Sequence, residues 1–303
     1  MAWVEVKEYN SAGWDRADSI DERSREYCRL LERGEILLFP EPPYVLPQED
    51  RDYLISQRQQ DSRLHKNISY RPSGDVLRGL KAGREVEDRV HRILRAYSAQ
   101  SSKFLSQFLT PYAGKVSLDY ASFRPMEEQN RNLPLHKRND LLHVDAFPSR
   151  PTRGGRILRV FTNLNPSVNR VWLAAQNFAE VAHRYAKPAG LERIGRSNPD
   201  GKLSGLLRLV GVSSANRSPY DRFMLRFHDY MKETSELQQR VQADRLEFPP
   251  MSTWLVFTDG VAHAALSGQF ALEQTFIVPT DALVSPQDSP IRVLEEMCQR
   301  KLA

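Results

Sequence analysis

The chain has 303 residues, with 43 basic and 38 acidic side chains, a formal net charge of +5 and a mean hydropathy of −0.55. No apolar run approaches the length of a membrane span, and two cysteines, Cys28 and Cys298, are too few for a disulfide framework. The first residues lack the basic and then apolar segments of a secretory signal. We therefore expect a cytoplasmic protein with one domain over residues 1–303, a length that can bury a large single core.

Residues 1–114 are predicted to form a mostly helical flanking region with one strand. Apolar residues at helical spacing predict a helix over 18–33, and EILLF at 35–39 predicts a short buried strand. A longer helix is predicted over 84–109, where apolar residues recur at three- and four-residue spacing. Because this apolar stripe needs a surface to cover, we expect the rest of the chain to supply a sheet.

From residue 115 the apolar period changes to two, as in KVSLDYASF, which predicts strands. Further strands are predicted at 141–147, 156–164, 252–258, 262–266 and 270–278. Helices are predicted near 172–186, 219–241 and 289–301, with a polar loop at 190–204. The fold class is therefore α+β, with a β-rich core over 115–280 and a C-terminal helix in 281–303.

The stretch LLHVDAFPSR, residues 141–150, places His143 and Asp145 two apart, so that in a strand both side chains point to one face. His263 follows an Asp259-Gly260 pair between apolar stretches, which is a hairpin signal. Two imidazoles and one carboxylate suit non-haem Fe(II), and zinc accepts the same ligands. Five other histidines are interpreted as hydrogen-bonded core or rim residues: His65, His91, His136, His183 and His228.

Two longer stretches resemble the site of iron- and 2-oxoglutarate-dependent dioxygenases. HVDAFPSRPTRGGRILRVFTNLNP contains His-X-Asp, a glycine-containing loop and a strand that ends in Leu-Asn, and WLVFTDGVAHAALSGQFALEQTF contains the distal histidine. Together with GEILLFPEPPYVLP and HKNISYRP, these stretches resemble the Kdo hydroxylase family more specifically. The resemblance runs over most of the chain and is specific at these motifs.

The resemblance implies a double-stranded β-helix, or jelly roll, flanked by helices. It implies that His143, Asp145 and His263 bind Fe(II), and that 2-oxoglutarate and O2 are co-substrates. The implied reaction hydroxylates carbon 3 of a 3-deoxy-D-manno-octulosonic acid (Kdo) residue of lipopolysaccharide or its lipid A precursor. The products would be D-glycero-D-talo-oct-2-ulosonic acid, succinate and CO2. A lipid-linked substrate would imply peripheral contact with the cytoplasmic face of the inner membrane, and no nucleic acid is expected as a partner.

One departure from the family pattern concerns the counter-ion of 2-oxoglutarate. Many relatives place an Arg or Lys about ten residues beyond the distal histidine, but 264–278 contains neither. A buried carboxylate needs a partner, and Arg159, 16 residues after His143, is the predicted one, with an ordinary ion pair as the alternative. Asn163 and Thr275 are weaker candidates for polar contacts with the co-substrate.

Basic residues near the motifs are the candidates for binding an anionic substrate. Arginine makes up 33 of the 43 basic residues, and its planar fork suits carboxylates and phosphates. The candidates are Lys66, Arg71, His136, Lys137, Arg138, Arg150 and Arg153. The alternative for each is a solvated basic loop.

Three other functions remain open at this point. One is the same dioxygenase chemistry on another anionic sugar or lipid. Another is a non-enzymatic jelly-roll binding protein, for nucleic acid given the sequence pI of 9.2, although the aromatic-interleaved basic stripe of a single-strand binder is missing. The last is a zinc hydrolase with the same three ligands. The sequence leaves open whether Kdo would be free or lipid-linked, and in which oligomeric state the protein acts.

Overall fold

The computed structural model describes residues 3–9, 20–57, 67–129, 132–196 and 217–303. Its strands are β1 (Trp3–Glu5), β2 (Ile36–Phe39), β3 (Ile68–Arg71), β4 (Val76–Arg78), β5 (Ser117–Arg124), β6 (Arg156–Asn163), β7 (Arg170–Asn177), β8 (Asp244–Phe248), β9 (Thr253–Phe257), β10 (Val261–Ser267) and β11 (Ala271–Val278). Its helices are α1 (Ile20–Glu32), α2 (Gln48–Ser56), α3 (Arg84–Phe108), α4 (Phe178–Tyr185), α5 (Leu191–Arg196), α6 (Pro219–Glu233), α7 (Ser235–Arg240) and α8 (Pro290–Cys298). Within these described ranges no helix is long and apolar enough to cross a membrane.

The strands form two sheets. The larger sheet has eight strands in the order β1-β2-β9-β6-β11-β5-β3-β4, and the smaller has three in the order β10-β7-β8. Aromatic side chains from both sheets share one core cluster, in which Phe161 of β6 contacts Trp172 of β7 at 5.0 Å between ring centroids. These two sheets with helices around them are the expected α+β jelly roll.

Helix α3 covers the outer face of the larger sheet. Phe104, Leu105 and Phe108 lie in one buried cluster with Leu158 of β6 and Phe276 of β11. The hydroxyl of a buried tyrosine in the same helix, Tyr97, donates to the Val160 carbonyl at 3.2 Å. The predicted apolar stripe therefore covers a sheet as expected. The opposite face of β6 and β11 faces the candidate site described below.

The smaller sheet is covered by α4, α6 and α8. Phe178 and Val181 of α4, Phe227 of α6 and Leu294 of α8 lie in one buried cluster with Ala264 of β10. Helix α4 begins where the Asn177 side chain accepts a hydrogen bond from the Glu180 N–H. The prediction of a helix over 172–186 was therefore wrong in its first part, because residues 170–177 pair with β8 and β10.

The N-terminal region contributes four strands to the larger sheet, where the sequence analysis predicted one. β2 pairs with β9 and β3 pairs with β5, so this region extends both sides of the sheet. Each of its strands has only three or four residues, too few to show an alternating pattern. β8 was missed as well, and the predicted helix over 219–241 is interrupted at Thr234 between α6 and α7.

Two predicted features around the site differ in the structure. Residues 141–147 form no regular strand, but a single antiparallel bridge joins His143 to His263. Asp259 and Gly260 form a turn that is not a β-hairpin, because β9 lies in the larger sheet and β10 in the smaller. The turn instead carries the chain from one sheet to the other, and Asp259 accepts from Arg156 Nε in a buried pair at 3.0 Å. The predicted loop at 190–204 contains α5, and its residues from 197 lie outside the described ranges.

Candidate metal centre

His143, Asp145 and His263 meet at one point between the two sheets. Each offers one ligand atom, and these three atoms lie within 4.8 Å of one another. His143 Nε2 is 3.7 Å from Asp145 Oδ1, and the two imidazole centroids are 4.8 Å apart. The three residue types are those that suit a non-haem iron or zinc ion.

Backbone hydrogen bonds hold the three residues in place. The N–H of His143 donates to the His263 carbonyl at 3.0 Å, and the N–H of His263 donates back at 2.9 Å. The N–H of Asp145 donates to the Thr258 carbonyl at 2.8 Å. The segment with His-X-Asp is therefore fastened along the edge of β10, which explains how residues 120 positions apart converge.

Both imidazoles present the same nitrogen. His143 Nδ1 is 2.7 Å from the Leu141 carbonyl, and His263 Nδ1 is 2.9 Å from the Val261 carbonyl. A carbonyl oxygen can only accept, so Nδ1 carries the proton in both rings and donates it. Nε2 then has its lone pair directed away from the backbone, as metal ligation requires.

Burial and neighbouring charges set the protonation states. Burial is the main cause that lowers the pKa of His143 and of His263 below the ordinary value, so both rings are neutral at neutral pH. Burial alone would raise the pKa of Asp145, but positive charge beside it, chiefly the Arg159 guanidinium, holds this pKa below its usual range. Two neutral imidazoles and one carboxylate are the states in which these groups bind a metal.

A glutamine clamps the residue before His143. The amide of Gln238, on α7, accepts from the Leu142 N–H and donates to the Leu142 carbonyl, both at 2.9 Å. The same amide donates to the Met231 carbonyl of α6 at 2.9 Å. The His-X-Asp segment is therefore held by β10 on one side and by Gln238 next to it, and no sequence pattern indicated this.

Helix α6 also approaches the site. The His228 ring lies edge-on to the His143 ring at 5.1 Å, and Lys232 Nζ donates to the His136 carbonyl at 3.1 Å. Burial lowers the pKa of Lys232 to about 8. His228 was interpreted only as a core or rim histidine. Of the other histidines, His91 contacts Asp75 and His183 bonds to its own helix, whereas His65 lies outside the described residues.

A cavity of about 190 Å³ opens beside the three residues. Besides them, Arg124, Arg159, Arg170 and Trp172 line it. The Nε atoms of Arg159 and Arg170 and the Nε1 atom of Trp172 are buried and have no hydrogen-bond partner among the described residues. Three buried donors without acceptors suit an anionic ligand, because an unpaired buried donor costs free energy.

The arginines of the cavity alternate with carboxylates in one network. Arg159 contacts Asp145 at 3.0 Å and Glu273 at 2.5 Å, and Glu273 also accepts from Arg124. The network continues from Arg124 and from Arg170 to Glu128, at 3.6 Å and 3.4 Å. Burial would raise the pKa of Glu273, but Arg124 and Arg159 hold it below its ordinary value. Three guanidinium groups thus face three carboxylates.

Glu273 stands ten residues beyond His263, where many relatives have a cation. It lies in the middle of β11, between β5 with Arg124 and β6 with Arg159. Strand β11 therefore supplies a carboxylate that pairs with Arg124 and Arg159 on its two neighbours, and does not supply a cation at this position. The sequence analysis missed Glu273, Arg124 and Arg170, although a charged residue inside the apolar stretch ALEQTFIV was a signal for the first.

The predicted co-substrate residues have different positions. Arg159 lines the cavity, and its role as the counter-ion of 2-oxoglutarate stays a prediction. Asn163 does not line the cavity, which corrects the prediction that it contacts the co-substrate. Its amide instead donates to the backbone carbonyls of Val168, Phe248 and Pro249. Thr275 pairs with Arg159 across the sheet, and its hydroxyl is 3.3 Å from Glu273 rather than against the cavity.

None of the predicted substrate residues that the structure describes lines the cavity. Lys66 lies outside the described residues. His136 contacts Glu233 and Arg138 contacts Asp140, while Lys137 and Arg153 are exposed. Arg71 and Arg150 instead meet at the ring of Tyr120, at 4.9 Å and 3.9 Å.

Comparison with known proteins gives consistent matches. The family model for 3-deoxy-D-manno-oct-2-ulosonic acid (Kdo) hydroxylase matches residues 14–301. One similar solved structure is a crystal structure of the Kdo hydroxylase KdoO, a non-heme Fe(II) alphaketoglutarate-dependent dioxygenase, in complex with alphaketoglutarate and Fe(III). Its sequence is 34% identical, the TM-score is 0.85, and the match covers 100% of this chain and 98% of that chain. A structure of KdoO with succinate and Fe(III) is also 34% identical, with a TM-score of 0.83 and coverage of 99% and 96%. No curated protein sequence matches.

Proposed function

The chain belongs to the Kdo hydroxylase family of Fe(II)- and 2-oxoglutarate-dependent dioxygenases, and from this premise we propose that it hydroxylates carbon 3 of a Kdo residue in a lipopolysaccharide or lipid A precursor. The observation that carries the proposal is the meeting of His143, Asp145 and His263 beside a cavity lined by three arginines. The family assignment decides against a zinc hydrolase and a non-enzymatic binding protein.

In this proposal His143 Nε2, His263 Nε2 and one oxygen of Asp145 bind Fe(II). Their donor set fits the ion, because both rings are neutral with Nε2 available and Asp145 is ionised. When bound, iron and 2-oxoglutarate supply the chemistry by which one oxygen atom of O2 enters a C–H bond and the other enters succinate, with release of CO2. The protein contributes ligand placement, substrate orientation and exclusion of water.

Arg159 is proposed to hold the carboxylate of 2-oxoglutarate that is remote from the keto group. Its Nε is one of the three buried donors without a partner, and Arg170 Nε and Trp172 Nε1 are the others. The existing network has three guanidinium groups and three carboxylates, so its own charges balance. Fe(II) and doubly charged 2-oxoglutarate carry opposite charges of equal size, so binding both would keep the site neutral. A buried site that stays neutral on loading avoids the cost of an unpaired buried charge.

The setting of the substrate is part of the proposal. A Kdo residue within a lipid-linked precursor would place the enzyme in the cytoplasm, in peripheral contact with the inner membrane. A basic chain with a net charge of +5 supports attraction to anionic lipid. Absence of binding to vesicles containing anionic lipid would contradict the membrane contact without affecting the chemistry.

The first experiment is an anaerobic titration with Fe(II) and then 2-oxoglutarate, in the wild type and in Arg159→Ala. Chelation of iron by the keto acid gives a visible charge-transfer band. We expect the band in the wild type, and a need for much more 2-oxoglutarate in the variant. If the wild type binds iron and gives no band, the assignment of 2-oxoglutarate to this cavity is wrong.

The second experiment tests the substrate. The iron-loaded enzyme is incubated with 2-oxoglutarate, O2 and a Kdo-bearing lipid A precursor, and the glycolipid is analysed by mass spectrometry. We expect a gain of one oxygen atom in the Kdo residue, with an equal amount of succinate. Succinate that forms at the same rate with and without the acceptor would contradict this substrate.

A further inference from the structure

We propose that Arg71, Arg150, Tyr120 and Phe147 form a second anion site, which binds a carboxylate or phosphate of the substrate away from the carbon that is hydroxylated. We call these four residues the outer row. This inference rests on the proposed function and narrows its substrate to Kdo-containing molecules with an additional anionic group.

A β-bulge creates the outer row. Gln274 of β11 pairs with Ala121 of β5, and Phe276 pairs with Leu118, so Asp119 and Tyr120 together oppose the single residue Thr275. The Gln274 amide fastens the bulge by donating to the Asp119 carbonyl at 3.0 Å. An extra residue of this kind re-aims side chains, and bulges are frequent beside active sites.

The bulge lies in line with the cavity. Thr275, opposite the bulge, pairs on its other side with Arg159 of β6. On the far side of β5, Tyr70 of β3 pairs with Ala121, and Arg71 is the next residue of that strand. Arg71, Tyr120, Thr275 and Arg159 therefore follow one line across four adjacent strands, from β3, next to the edge strand β4, to the cavity.

Stacking joins the outer row to the cavity arginine. The guanidinium carbon of Arg150 is 3.9 Å from the Tyr120 ring centroid and 4.4 Å from that of Phe147. Arg71 lies 4.9 Å from the Tyr120 centroid, and Arg159 lies 5.7 Å from the Phe147 centroid. A guanidinium over an aromatic ring keeps its N–H edge available for oxygen ligands. The aromatic rings thus position the guanidinium groups of Arg71 and Arg150 with their N–H groups available to a ligand.

Within the part of the chain that the structure describes, the positive charge of the outer row is only partly neutralised. Asp119 Oδ2 is 3.1 Å from Arg150 Nε, and these side chains are 11% and 33% exposed. Arg71 is exposed, and no carboxylate among the described residues pairs with it. Among the described residues, Arg150 therefore has one carboxylate partner and Arg71 has none, whereas His136 and Arg138 each contact an acid of their own. An anionic ligand would complete the pairing with bidentate contacts.

The test compares Kdo acceptors that differ in one anionic group. One acceptor carries a single Kdo on a phosphorylated lipid A disaccharide, another is its dephosphorylated form, and a third carries a second Kdo on the dephosphorylated disaccharide. For each, kcat/KM is measured with the wild type, Arg71→Gln and Arg150→Gln. The control variant is Arg240→Gln, which removes an exposed arginine paired with Glu236 on α7.

We expect the wild type to prefer an acceptor with the extra anionic group, and the two variants to lower that preference at least about tenfold. Loss of the preference for phosphate identifies a phosphate ligand, and loss of the preference for the second Kdo identifies a carboxylate. The control should keep the wild-type preference, and thermal unfolding midpoints check that all variants are folded.

Two results overturn the inference. An equal loss on all acceptors would mean that the outer row acts only on the fold or on the reacting Kdo, and unchanged preference in both variants would remove it from substrate binding. Neither result affects the proposed function. If the wild type oxidises none of the Kdo acceptors, the proposed function itself is wrong, and the inference fails with it.

Discussion

Arg159 contacts the carboxylate of Asp145, with Nη2 at 3.0 Å from Oδ2, and so joins a proposed metal ligand to the proposed co-substrate site. Its other terminal nitrogen contacts Glu273. One side chain thereby contacts a proposed ligand and lines the cavity, and its Nε has no hydrogen-bond partner among the described residues. A substitution of Arg159 should therefore affect the binding of both iron and 2-oxoglutarate, and the size of each effect should depend on the side chain that replaces it.

For Arg159→Lys we expect weaker binding of 2-oxoglutarate by at least about tenfold, or about 1.4 kcal/mol, because an ammonium cannot reproduce a fork with several donors. Iron affinity should fall less than 2-oxoglutarate affinity, since the positive charge beside Asp145 is kept. Anaerobic titrations with iron alone and then with 2-oxoglutarate measure the two effects separately. Wild-type affinity for 2-oxoglutarate in this variant would contradict the assignment of Arg159.

His143→Ala and His263→Ala should each abolish hydroxylation in a folded protein. Each removes one of the three ligand atoms that the described residues bring together, while the backbone bonds between the two positions do not depend on the rings. Substrate oxidation measures the loss, and far-ultraviolet circular dichroism checks the fold. Full activity in either variant would show that the metal is bound elsewhere.

Gln238→Ala should weaken iron binding without changing any proposed ligand. It removes the two hydrogen bonds that hold Leu142 next to His143 and the one to the Met231 carbonyl, with an expected stability loss of about 1.5–4.5 kcal/mol in total. The control is Gln299→Ala, whose amide has one local bond to the Glu296 carbonyl. Iron titration and urea unfolding are measured on both variants. A loss of stability with unchanged iron affinity would limit Gln238 to a structural role.

Glu273→Gln should lower the free energy of unfolding at neutral pH by about 3–5 kcal/mol, because it leaves Arg124 and Arg159 without their shared counter-charge. The control Glu247→Gln breaks an exposed pair with Arg245 and should cost less than about 1 kcal/mol. Urea unfolding at pH 7 measures both.

The same variant gives a pH test with a defined sign. Arg124 and Arg159 depress the pKa of Glu273 in the folded state, so its stabilisation is fully present above the unfolded pKa, about 4.3, and is lost as pH falls through the folded pKa. The stability difference between wild type and Glu273→Gln should therefore shrink below about pH 4.3. A difference that grows on acidification would contradict this pairing.

Local patterns in the sequence were enough to predict the chemistry of the centre. Alternation along one extended segment places His143 and Asp145 together, and the position of His263 after Asp259-Gly260 made it the candidate partner, which the resemblance then supported. The helical stripe over 84–109 likewise predicted α3, because helix periodicity depends only on residues three and four apart. Arg159 was predicted from its distance to His143 and does line the cavity.

The tertiary structure alone decided which charges face each other. Arg124, Arg159 and Glu273 lie on three adjacent strands, and their contacts depend on strand register, which a single sequence does not display. The same holds for Gln238 beside Leu142 and for the bulge that brings Tyr120 to Arg150. Spacing along the chain determines which side chains share a face, whereas neighbours across a sheet are set by pairing between distant segments, and that pairing set Glu273 between Arg124 and Arg159.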